Sequence, residues 1–293
     1  MILLPHGEKV KSRQMKAWVE DRLMEMGCVR DTCLVAVGGG EILDLVGFVA
    51  ATYCRGVPYV TFPTTLLAMT DAAIGGKTGI DIPGTKNLVG AFYPPRQVTI
   101  DTTVLQSLPE EELVSGLAET IKHALIASAP LFVFLEENLD AILGRENGTL
   151  LELVKKSVVI KKAIVEGDPY EKDQRRWLNL GHTIGHAIES LTTLRHGEAV
   201  ALGLYWEGRL AVEMGLCSRE VFERIASLLR RVPFALDLEI SIDDLLERIQ
   251  LDKKRMGEVT YFVGLKKIGE VEVIPLPEEV LRRCFAPSSQ MIT

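Results

Sequence analysis

The hydrophobic pattern changes character part-way along this chain of 293 residues. Up to residue 108, short apolar runs alternate with glycine-rich turns, whereas from Pro109 onward apolar residues recur every three or four positions. The first pattern is typical of buried strands in an α/β fold, and the second of helices with one buried face. The sequence therefore predicts an α/β domain over residues 1–108 and a mainly α-helical domain over residues 109–293.

A strand, a glycine turn and a helix are predicted early in the α/β domain. Residues 33–37 form an apolar run that leads into the three glycines at 38–40, and residues 42–53 have a helical pattern. Further strands are predicted at 57–62 and 97–101. This order is typical of a Rossmann-like nucleotide-binding domain.

The second half is predicted to be built from helices and one hairpin. The hairpin joins strands at 259–263 and 270–274 through a Lys-Lys-Ile-Gly turn. Helical spacing of apolar residues predicts seven helices. They cover residues 110–127, 131–143, 150–166, 181–191, 199–214, 219–229 and 242–250.

Composition and net charge argue against several classes of binding partner. The net charge is −7 and there is no long basic run, which argues against nucleic acid and against anionic membranes as partners. The apolar runs fall short of the roughly 18 residues that a membrane span needs. The five cysteines have no metal-binding spacing and are odd in number, which favours free thiols in a reducing cytoplasm.

A histidine cluster is the strongest chemical signal. Three of the five histidines, His182, His186 and His196, lie within fifteen residues. His182 and His186 are four apart and share a helix face. The cluster could hold a metal, act in acid–base chemistry, or pack in a core.

Glu119 supports the metal interpretation. It lies on an apolar helical segment three residues before Lys122, where a surface salt bridge is the ordinary explanation. A buried acid, however, needs a partner, and one glutamate with two histidines is a common ligand set of catalytic zinc. Spacing alone leaves two pairs open: His182 with His186, or His182 with His196, the remaining histidine then serving the substrate.

Small and charged residues suggest a second site in the first half. The turn containing Gly39 and Gly40 can admit a phosphate at a helix N-terminus, although a plain tight turn explains it equally well. Asp44 follows it and could accept hydrogen bonds from a nicotinamide-side ribose, or simply from the start of the helix. Downstream, glycines and threonines accompany cations that suit phosphate or carboxylate groups, with a solvated loop as the alternative. These positions are Thr64, Thr65, Asp71, Lys77, Lys86 and Asn87.

Further cations could form a pocket around a metal that holds a dianionic substrate. Each one alone would be a solvated charge. They are Arg55, Lys77, Lys122, Lys161, Arg175 and the lysines at 253 and 254.

Taken together, these motifs resemble the 3-dehydroquinate synthase family, within the sugar phosphate cyclase group. The resemblance runs from Pro5 to about Cys284 and thus covers nearly the whole chain. The motifs that carry it are Pro5-His-Gly-Glu8-Lys-Val-Lys11, Gly38-Gly-Gly-Glu-Ile-Leu-Asp44, Pro63-Thr-Thr-Leu-Leu, Gly75-Gly-Lys-Thr, Lys86-Asn-Leu-Val-Gly, Ser115-Gly-Leu-Ala-Glu-Thr-Ile-Lys, Asn179-Leu-Gly-His-Thr-Ile-Gly-His-Ala-Ile-Glu and His196-Gly-Glu-Ala-Val.

The resemblance assigns a role to each candidate residue. It implies that Glu119, His182 and His196 bind zinc or cobalt, and that Arg55 reaches the neighbouring subunit's site in a homodimer. Implied NAD contacts are Glu8, Lys11, Gly39, Gly40, Asp44, Thr64, Thr65, Asp71, Lys86 and Ser107. Implied substrate contacts are Lys77, Asn87, Lys122, Lys161, Arg175, Asn179, His186 and Lys254.

The resemblance also implies a reaction. A sugar phosphate, 3-deoxy-D-arabino-heptulosonate 7-phosphate, would become 3-dehydroquinate plus phosphate in the shikimate pathway. Transient oxidation by NAD, phosphate elimination, reduction and an intramolecular aldol step would follow one another. Inosose or valiolone synthase activity, polyol dehydrogenase activity and a non-catalytic remnant are the alternatives.

One departure from the family concerns the beginning of the chain. Family members carry roughly 60–70 residues before the segment that begins here at Pro5, and these form the first strands and helix of the nucleotide domain. His6 also stands in the usual aspartate position. The sequence therefore predicts an incomplete Rossmann-like domain, with part of the adenosine side of the NAD site missing and an exposed sheet edge.

Overall fold

The computed structural model describes residues 1–83, 85–234, 236, 240–256, 261–276 and 278–285. Contacts divide the chain into two units that are not continuous in sequence. Unit 1 comprises Met1–Leu113 and Leu150–Tyr170, and unit 2 comprises Val114–Thr149 and Glu171–Thr293. The domain boundary at residue 108 stays a prediction.

A three-stranded parallel sheet lies at the centre of unit 1. Its strands are β1 (Leu34–Gly38), β2 (Tyr59–Pro63) and β5 (Gln97–Val98), in the order β1-β2-β5. Helix α2 (Gly40–Thr52) follows β1 directly. The predicted order of strand, glycine turn, helix and strand is thus confirmed, although β5 is shorter than predicted.

The two faces of β1 differ in exposure. Leu34 and Ala36 are buried, whereas Val35 and Val37 are 59% and 60% exposed. Alternate residues of a strand point to opposite faces, so the two valines share the outer face of the sheet.

A second, antiparallel sheet in unit 1 was not predicted. Strands β3 (Lys77–Ile82) and β4 (Thr85–Phe92) pair with a register shift between Ile80 and Ile82. The segment is rich in glycine, threonine and lysine, a composition that predicts an anion-binding site, with a solvated loop as the alternative. Gly90 permits the close pairing, because a Cβ there would lie 2.0 Å from the carbonyl oxygen of Thr78.

Unit 1 also contains helices that the apolar pattern did not show. Helix α1 (Arg13–Glu25) begins at Ser12, whose hydroxyl accepts a 3.2 Å hydrogen bond from the backbone N–H of Met15. Only Val19 and Leu23 of this helix are fully buried, so its apolar stripe is narrow. Short helical turns cover Glu8–Val10, Tyr53–Arg55, Ala68–Ala72 and Thr102–Ser107.

The seven predicted helices are confirmed. Six begin or end within about three residues of the predicted position, whereas α9 extends six residues further than predicted. Their observed bounds are α3 (Glu110–Ala127), α4 (Ala129–Leu143), α5 (Asn147–Gly167), α6 (His182–Leu191), α7 (His196–Glu213), α8 (Arg219–Arg231) and α9 (Ile242–Met256).

The remaining elements of unit 2 include the predicted hairpin. Strands β6 (Tyr261–Lys267) and β7 (Glu270–Pro275) pair antiparallel, and residues 259 and 260 of the predicted first strand lie outside the described residues. A short helical turn (Gln174–Asn179) precedes α6, and α10 (Glu278–Cys284) follows β7. Over the ranges the structure describes, none of the helices combines the length and the hydrophobicity needed to cross a membrane.

Candidate metal centre and nucleotide-binding residues

Three side chains of unit 2 converge from three different helices. Glu119 on α3, His182 on α6 and His196 on α7 offer ligand atoms that all lie within 4.8 Å of one another. The Nε2 atoms of both histidines lie 3.5 Å from Oε1 of Glu119. Two imidazole nitrogens and one carboxylate oxygen at this spacing can surround a single zinc-sized cation.

Helix α3 places a buried carboxylate beside a buried ammonium. Glu119 is 1% exposed, and its Oε2 forms an ion pair with Lys122, which is equally buried. Both side chains lie on one face because they are three residues apart on the helix. The surface salt bridge considered for this pair is therefore excluded, since both charges lie inside the protein.

The N-terminus of α7 is hydrogen-bonded to α3 at Ser115, one turn before Glu119. The backbone N–H of Gly197 donates a 3.1 Å hydrogen bond to the hydroxyl of Ser115. A Cβ at Gly197 would lie 2.2 Å from the carbonyl oxygen of Ser115, so only glycine permits this approach. The contact brings His196, the first residue of α7, alongside Glu119.

A buried glutamate of α7 accepts hydrogen bonds from the N-terminus of α6. Glu207 of α7 is fully buried and accepts hydrogen bonds from the backbone N–H groups of Gly181, at 2.7 Å, and Ile184, at 3.1 Å. The Gly181 N-cap has a positive φ of 77° and supplies no side chain to satisfy these donors. Glu207 thereby fixes the end of α6 that carries His182.

Glu207 is a further functional residue, beyond those predicted from the sequence. Its signal was present, because a single acid stands in the apolar run Ala-Leu-Gly-Leu-Tyr-Trp-Glu at 201–207. A carboxylate in such a run is usually paired or hydrogen-bonded.

Burial raises the pKa of Glu207 from 4.5 to about 8, against the backbone N–H groups that lower it. The folded protein therefore holds this proton over a range in which the unfolded chain releases it. We expect the contribution of Glu207 to the free energy of unfolding to be fully present below pH 4.5 and to fall as pH rises towards 8, by up to about 1.4 kcal/mol per pH unit. Glu207→Gln, neutral throughout, should lose this contribution in urea unfolding at several pH values.

The exposed Glu213, on the same helix, provides the control for that measurement. Glu213→Gln should keep the pH slope of the parent protein. A slope for Glu207→Gln equal to that of the parent would contradict the expectation.

Each histidine of the convergent set has its second ring nitrogen engaged. Nδ1 of His182 lies 3.1 Å from the carbonyl oxygen of Leu180, and Nδ1 of His196 lies 3.2 Å from Oε2 of Glu189. In the neutral ring, a hydrogen bond donated by Nδ1 leaves the lone pair on Nε2, the atom that faces Glu119.

The electrostatics of the set suit a cation. Burial and the charge of Lys122 hold the pKa of His182 well below its ordinary value, so this imidazole is neutral and able to ligate. For His196, burial lowers the pKa, but the carboxylates of Glu119 and Glu189 outweigh it and raise the pKa to about 10. The residues therefore fit a divalent metal, which would supply the positive charge that these carboxylates favour.

His186 lies next to the set on an exposed position of α6. Its ring centroid is 5.0 Å from that of His182 and 6.1 Å from that of His196. His186, Glu189 and His196 also offer ligand atoms within 4.8 Å of one another. The geometry therefore contains two three-residue groups that share His196, and only the first includes the buried Glu119.

In unit 1, a buried lysine joins two predicted site residues. Nζ of Lys11 donates hydrogen bonds to Asp44 at 2.9 Å and to Asn87 at 2.5 Å. The backbone N–H of Asn87 in turn donates to Asp81 at 2.7 Å. This arrangement ties the β3–β4 hairpin to the helix that follows the glycine turn.

The glycine turn meets the segment that follows β2. The backbone N–H of Thr64 donates to the carbonyl oxygen of Gly38 at 2.9 Å, and a Cβ at Gly39 would lie 3.2 Å from the side chain of Thr65. Carboxyl ends of neighbouring parallel strands form the usual ligand-binding edge of an α/β sheet. Gly40 is the first residue of α2 at this edge.

The other predicted positions have varied surroundings. Lys161 is buried and lies 2.5 Å from Asp71 within unit 1, whereas Asn179 donates to Glu171 at 3.0 Å within unit 2. Arg175 is 1% exposed. Exposed positions are Arg55, Lys77, Lys86 and Ser107. The side chains of Glu8 and Lys254 lie outside the described residues.

Comparison with known families settles what the chain is related to. The family described as 3-dehydroquinate synthase N-terminal matches residues 1–115, and that described as 3-dehydroquinate synthase C-terminal matches residues 116–255. The chain belongs to the 3-dehydroquinate synthase family. The resemblance inferred from the motifs is thus confirmed.

Individual relatives agree with this membership. A 3-dehydroquinate synthase of Thermoanaerobacter pseudethanolicus is 42% identical over 281 residues, which are 94% of this chain and 79% of that protein. Among solved structures, 2-epi-5-epi-valiolone synthase from Streptomyces hygroscopicus subsp. jinggangensis, with NAD+ and Zn2+ bound, is 27% identical with a TM-score of 0.90. That match covers 96% of this chain and 80% of the other.

A third comparison has a different bound metal. A 2-deoxy-scyllo-inosose synthase complexed with carbaglucose-6-phosphate, NAD+ and Co2+ is 28% identical with a TM-score of 0.87. It covers 95% of this chain and 80% of the other chain. The architecture is therefore that of sugar phosphate cyclases, with an α/β domain and a helical domain.

Proposed function

We propose that the protein is a 3-dehydroquinate synthase, a phosphate-eliminating carbon–oxygen lyase. Its substrate would be 3-deoxy-D-arabino-heptulosonate 7-phosphate, and its products 3-dehydroquinate and phosphate, in the shikimate pathway. The observation that carries the proposal is the convergence of His182 and His196 on the buried Glu119 in a chain of this family.

The ligand set belongs to unit 2. Glu119, His182 and His196 would hold a divalent zinc or cobalt ion, with coordination positions left for substrate oxygens. When bound, the metal would lower the pKa of the hydroxyl to be oxidised, and NAD would supply a hydride acceptor that is regenerated within the reaction and not consumed.

Buried cations support an anionic substrate. Lys122 and Arg175 of unit 2 are each about 1% exposed, and Lys161 of unit 1 is nearly as buried. Lys122 already pairs with Glu119 and Lys161 with Asp71, so the support comes from the cationic character of these positions and not from an unmet charge. A substrate with one carboxylate and one phosphate matches such groups. The substrate contacts proposed are Lys77, Asn87, Lys122, Lys161, Arg175, Asn179, His186 and Lys254.

The nucleotide would be held by unit 1. Gly39 and Gly40 allow close approach of a phosphate to the N-terminus of α2, and Asp44 lies one turn into that helix. The NAD contacts proposed are Glu8, Lys11, Gly39, Gly40, Asp44, Thr64, Thr65, Asp71, Lys86 and Ser107.

Two finer features belong to the same proposal. A homodimer, in which Arg55 reaches the partner's site, and a cytoplasmic location follow the family resemblance.

A second candidate function is that of another sugar phosphate cyclase. The similarity to valiolone and inosose synthases at 27% and 28% identity favours this alternative. Arg175 and His186 favour dehydroquinate synthase, because a substrate that bears a carboxylate needs an additional cation.

Release of phosphate from 3-deoxy-D-arabino-heptulosonate 7-phosphate tests the proposal. We expect release by the metal-loaded protein with NAD, and loss of release with a chelator. Glucose 6-phosphate and sedoheptulose 7-phosphate serve as alternative substrates, and turnover of one of them alone would favour the second candidate. A folded, metal-binding protein that releases no phosphate from any of the three would refute both.

Lys11 provides a test of the nucleotide site. Lys11→Met removes the buried ammonium that lies 2.9 Å from Asp44, and should raise the dissociation constant for NAD about 10-fold. Calorimetric titration with NAD measures the change. Lys16→Met is the matched control, because Lys16 pairs with Glu20 on the same helix and is not a proposed NAD contact. Equal affinity of both variants would contradict the assignment.

A further inference from the structure

A carboxylate that has no assigned role contacts one of the candidate metal ligands. Oε2 of Glu189 lies 3.2 Å from Nδ1 of His196, and Glu189 is 12% exposed. On the other side of the same ring, Nε2 of His196 faces Glu119 at 3.5 Å. The imidazole is therefore held between two carboxylates, one at each nitrogen.

The two nitrogens cannot have the same function. A neutral imidazole carries one N–H and one lone pair, so a proton on Nδ1 donated to Glu189 leaves the lone pair on Nε2. Metal-binding histidines commonly donate their second N–H to a carboxylate, which fixes the tautomer and the orientation of the ring. Glu189 meets this description by position and by chemistry.

Helix α6 explains why an acid is found at this position. His182, His186 and Glu189 are spaced at i, i+4 and i+7, and therefore share one face of the helix. The helix carries one candidate ligand itself, and seven residues later it presents a carboxylate to the other histidine ligand on α7.

The two histidine ligands differ in how they are oriented. Nδ1 of His182 has the carbonyl oxygen of Leu180 as its partner, which no side-chain substitution can remove. The orientation of His196 depends on a side chain. His196 begins α7, where the N–H of Arg195 donates to Glu198 and caps the helix, but this bond fixes the backbone and not the ring.

We propose that Glu189 is a positioning residue, which holds the His196 ring with Nε2 directed at the metal. The inference rests on the metal-binding part of the proposed function. Glu189 would contact neither metal nor substrate and would act only through His196.

A competing role is direct ligation. Glu189 also belongs to the group His186, Glu189 and His196, whose ligand atoms lie within 4.8 Å of one another. Glutamine separates the two roles. Its side-chain carbonyl can still accept a hydrogen bond from Nδ1–H, but a neutral amide is a poor replacement for a carboxylate ligand of zinc.

The test compares zinc affinity in Glu189→Gln and Glu189→Ala by competition with a chromophoric chelator. We expect Glu189→Ala to weaken zinc binding by about 10- to 100-fold, the usual effect of losing an outer partner. Glu189→Gln should stay within about 3-fold of the parent protein. Ser190→Ala, the next residue of the same helix, is the matched control and should bind zinc as the parent does.

The visible spectrum of the cobalt-loaded protein gives a second measurement. Glu189→Gln should keep the parent spectrum, since the ligand set is unchanged, whereas Glu189→Ala should alter it because the His196 ring is released. If Glu189→Ala fails to fold, Glu189→Asp, with its carboxylate drawn back by one methylene, should give an intermediate loss of affinity.

Two results would overturn the inference. Loss of zinc affinity and a changed cobalt spectrum in Glu189→Gln, as large as in Glu189→Ala, would make Glu189 a ligand. Parent affinity in Glu189→Ala would remove any orienting role. Failure of the parent protein itself to bind zinc would instead refute the metal-binding part of the proposed function. The parent protein is measured first, so this result is distinguishable from the effect of any variant.

Discussion

Replacing Glu119 by leucine should abolish metal binding and destabilise the fold. The variant loses the carboxylate that lies 3.5 Å from both ligand histidines. We expect zinc affinity to fall by well over 100-fold, which is more than the loss of a residue that only hydrogen-bonds to a ligand usually causes. It also leaves the buried Lys122 without its carboxylate. Breaking one side of a buried ion pair costs about 3–5 kcal/mol, which urea unfolding in the presence of a chelator would measure.

A double variant separates the two effects. Glu119→Leu with Lys122→Met replaces the whole buried pair by apolar side chains of similar size, a change that is often neutral for stability. We expect it to recover most of the lost unfolding free energy while zinc binding stays absent. Recovery of zinc binding in the double variant, or retention of zinc by Glu119→Leu alone, would show that Glu119 is no ligand.

Gly197→Ala should separate α7 from α3 and displace His196. The new Cβ would lie 2.2 Å from the carbonyl oxygen and 2.4 Å from the Cα of Ser115, both of which belong to a helix backbone that cannot move by itself. Overpacking of this kind costs about 1–3 kcal/mol, and backbone contacts belong at or above the upper end. We expect a lower melting temperature and weaker zinc binding together.

Gly208 on the same helix is the matched control. A Cβ there would lie 3.2 Å from the ring of Phe222, a side chain that can adjust, and alanine gains about 1 kcal/mol in helix propensity over glycine. Gly208→Ala should therefore keep the zinc affinity of the parent protein. Parent stability and affinity in Gly197→Ala would contradict the role given to the contact with Ser115.

The sequence predicted those elements whose signal is local. The amphipathic pattern of α8 and the apolar run into the glycine turn both led to correct elements, because burial on one face leaves a period in the sequence. Helix α1 has only Val19 and Leu23 fully buried, which is too few apolar residues for that signal. The β3–β4 hairpin was missed because its glycines and lysines serve close strand pairing and polar contacts.

The candidate metal centre was predictable only in part. The histidine spacing indicated a cluster, but the meeting of α3 with α7 depends on the contact between Ser115 and Gly197, which are 82 residues apart in the chain. No periodicity records such a contact. Glu189 was missed for the same reason, since its partner His196 lies on α7. Glu207 did have a local signal, a lone acid in an apolar run, but that signal does not show that its partners lie at the start of α6.

The common face of His182, His186 and Glu189 on α6 restricts where insertions and deletions can occur in this part of the chain. One inserted residue rotates all later positions of a helix by about 100°, so an insertion between His182 and Glu189 would turn the carboxylate away from His196. Residues 192–195, which lie between α6 and α7, have no such angular constraint. Insertions and deletions in this part of the gene should therefore be tolerated only in that connection, while the helix itself can change by substitution alone.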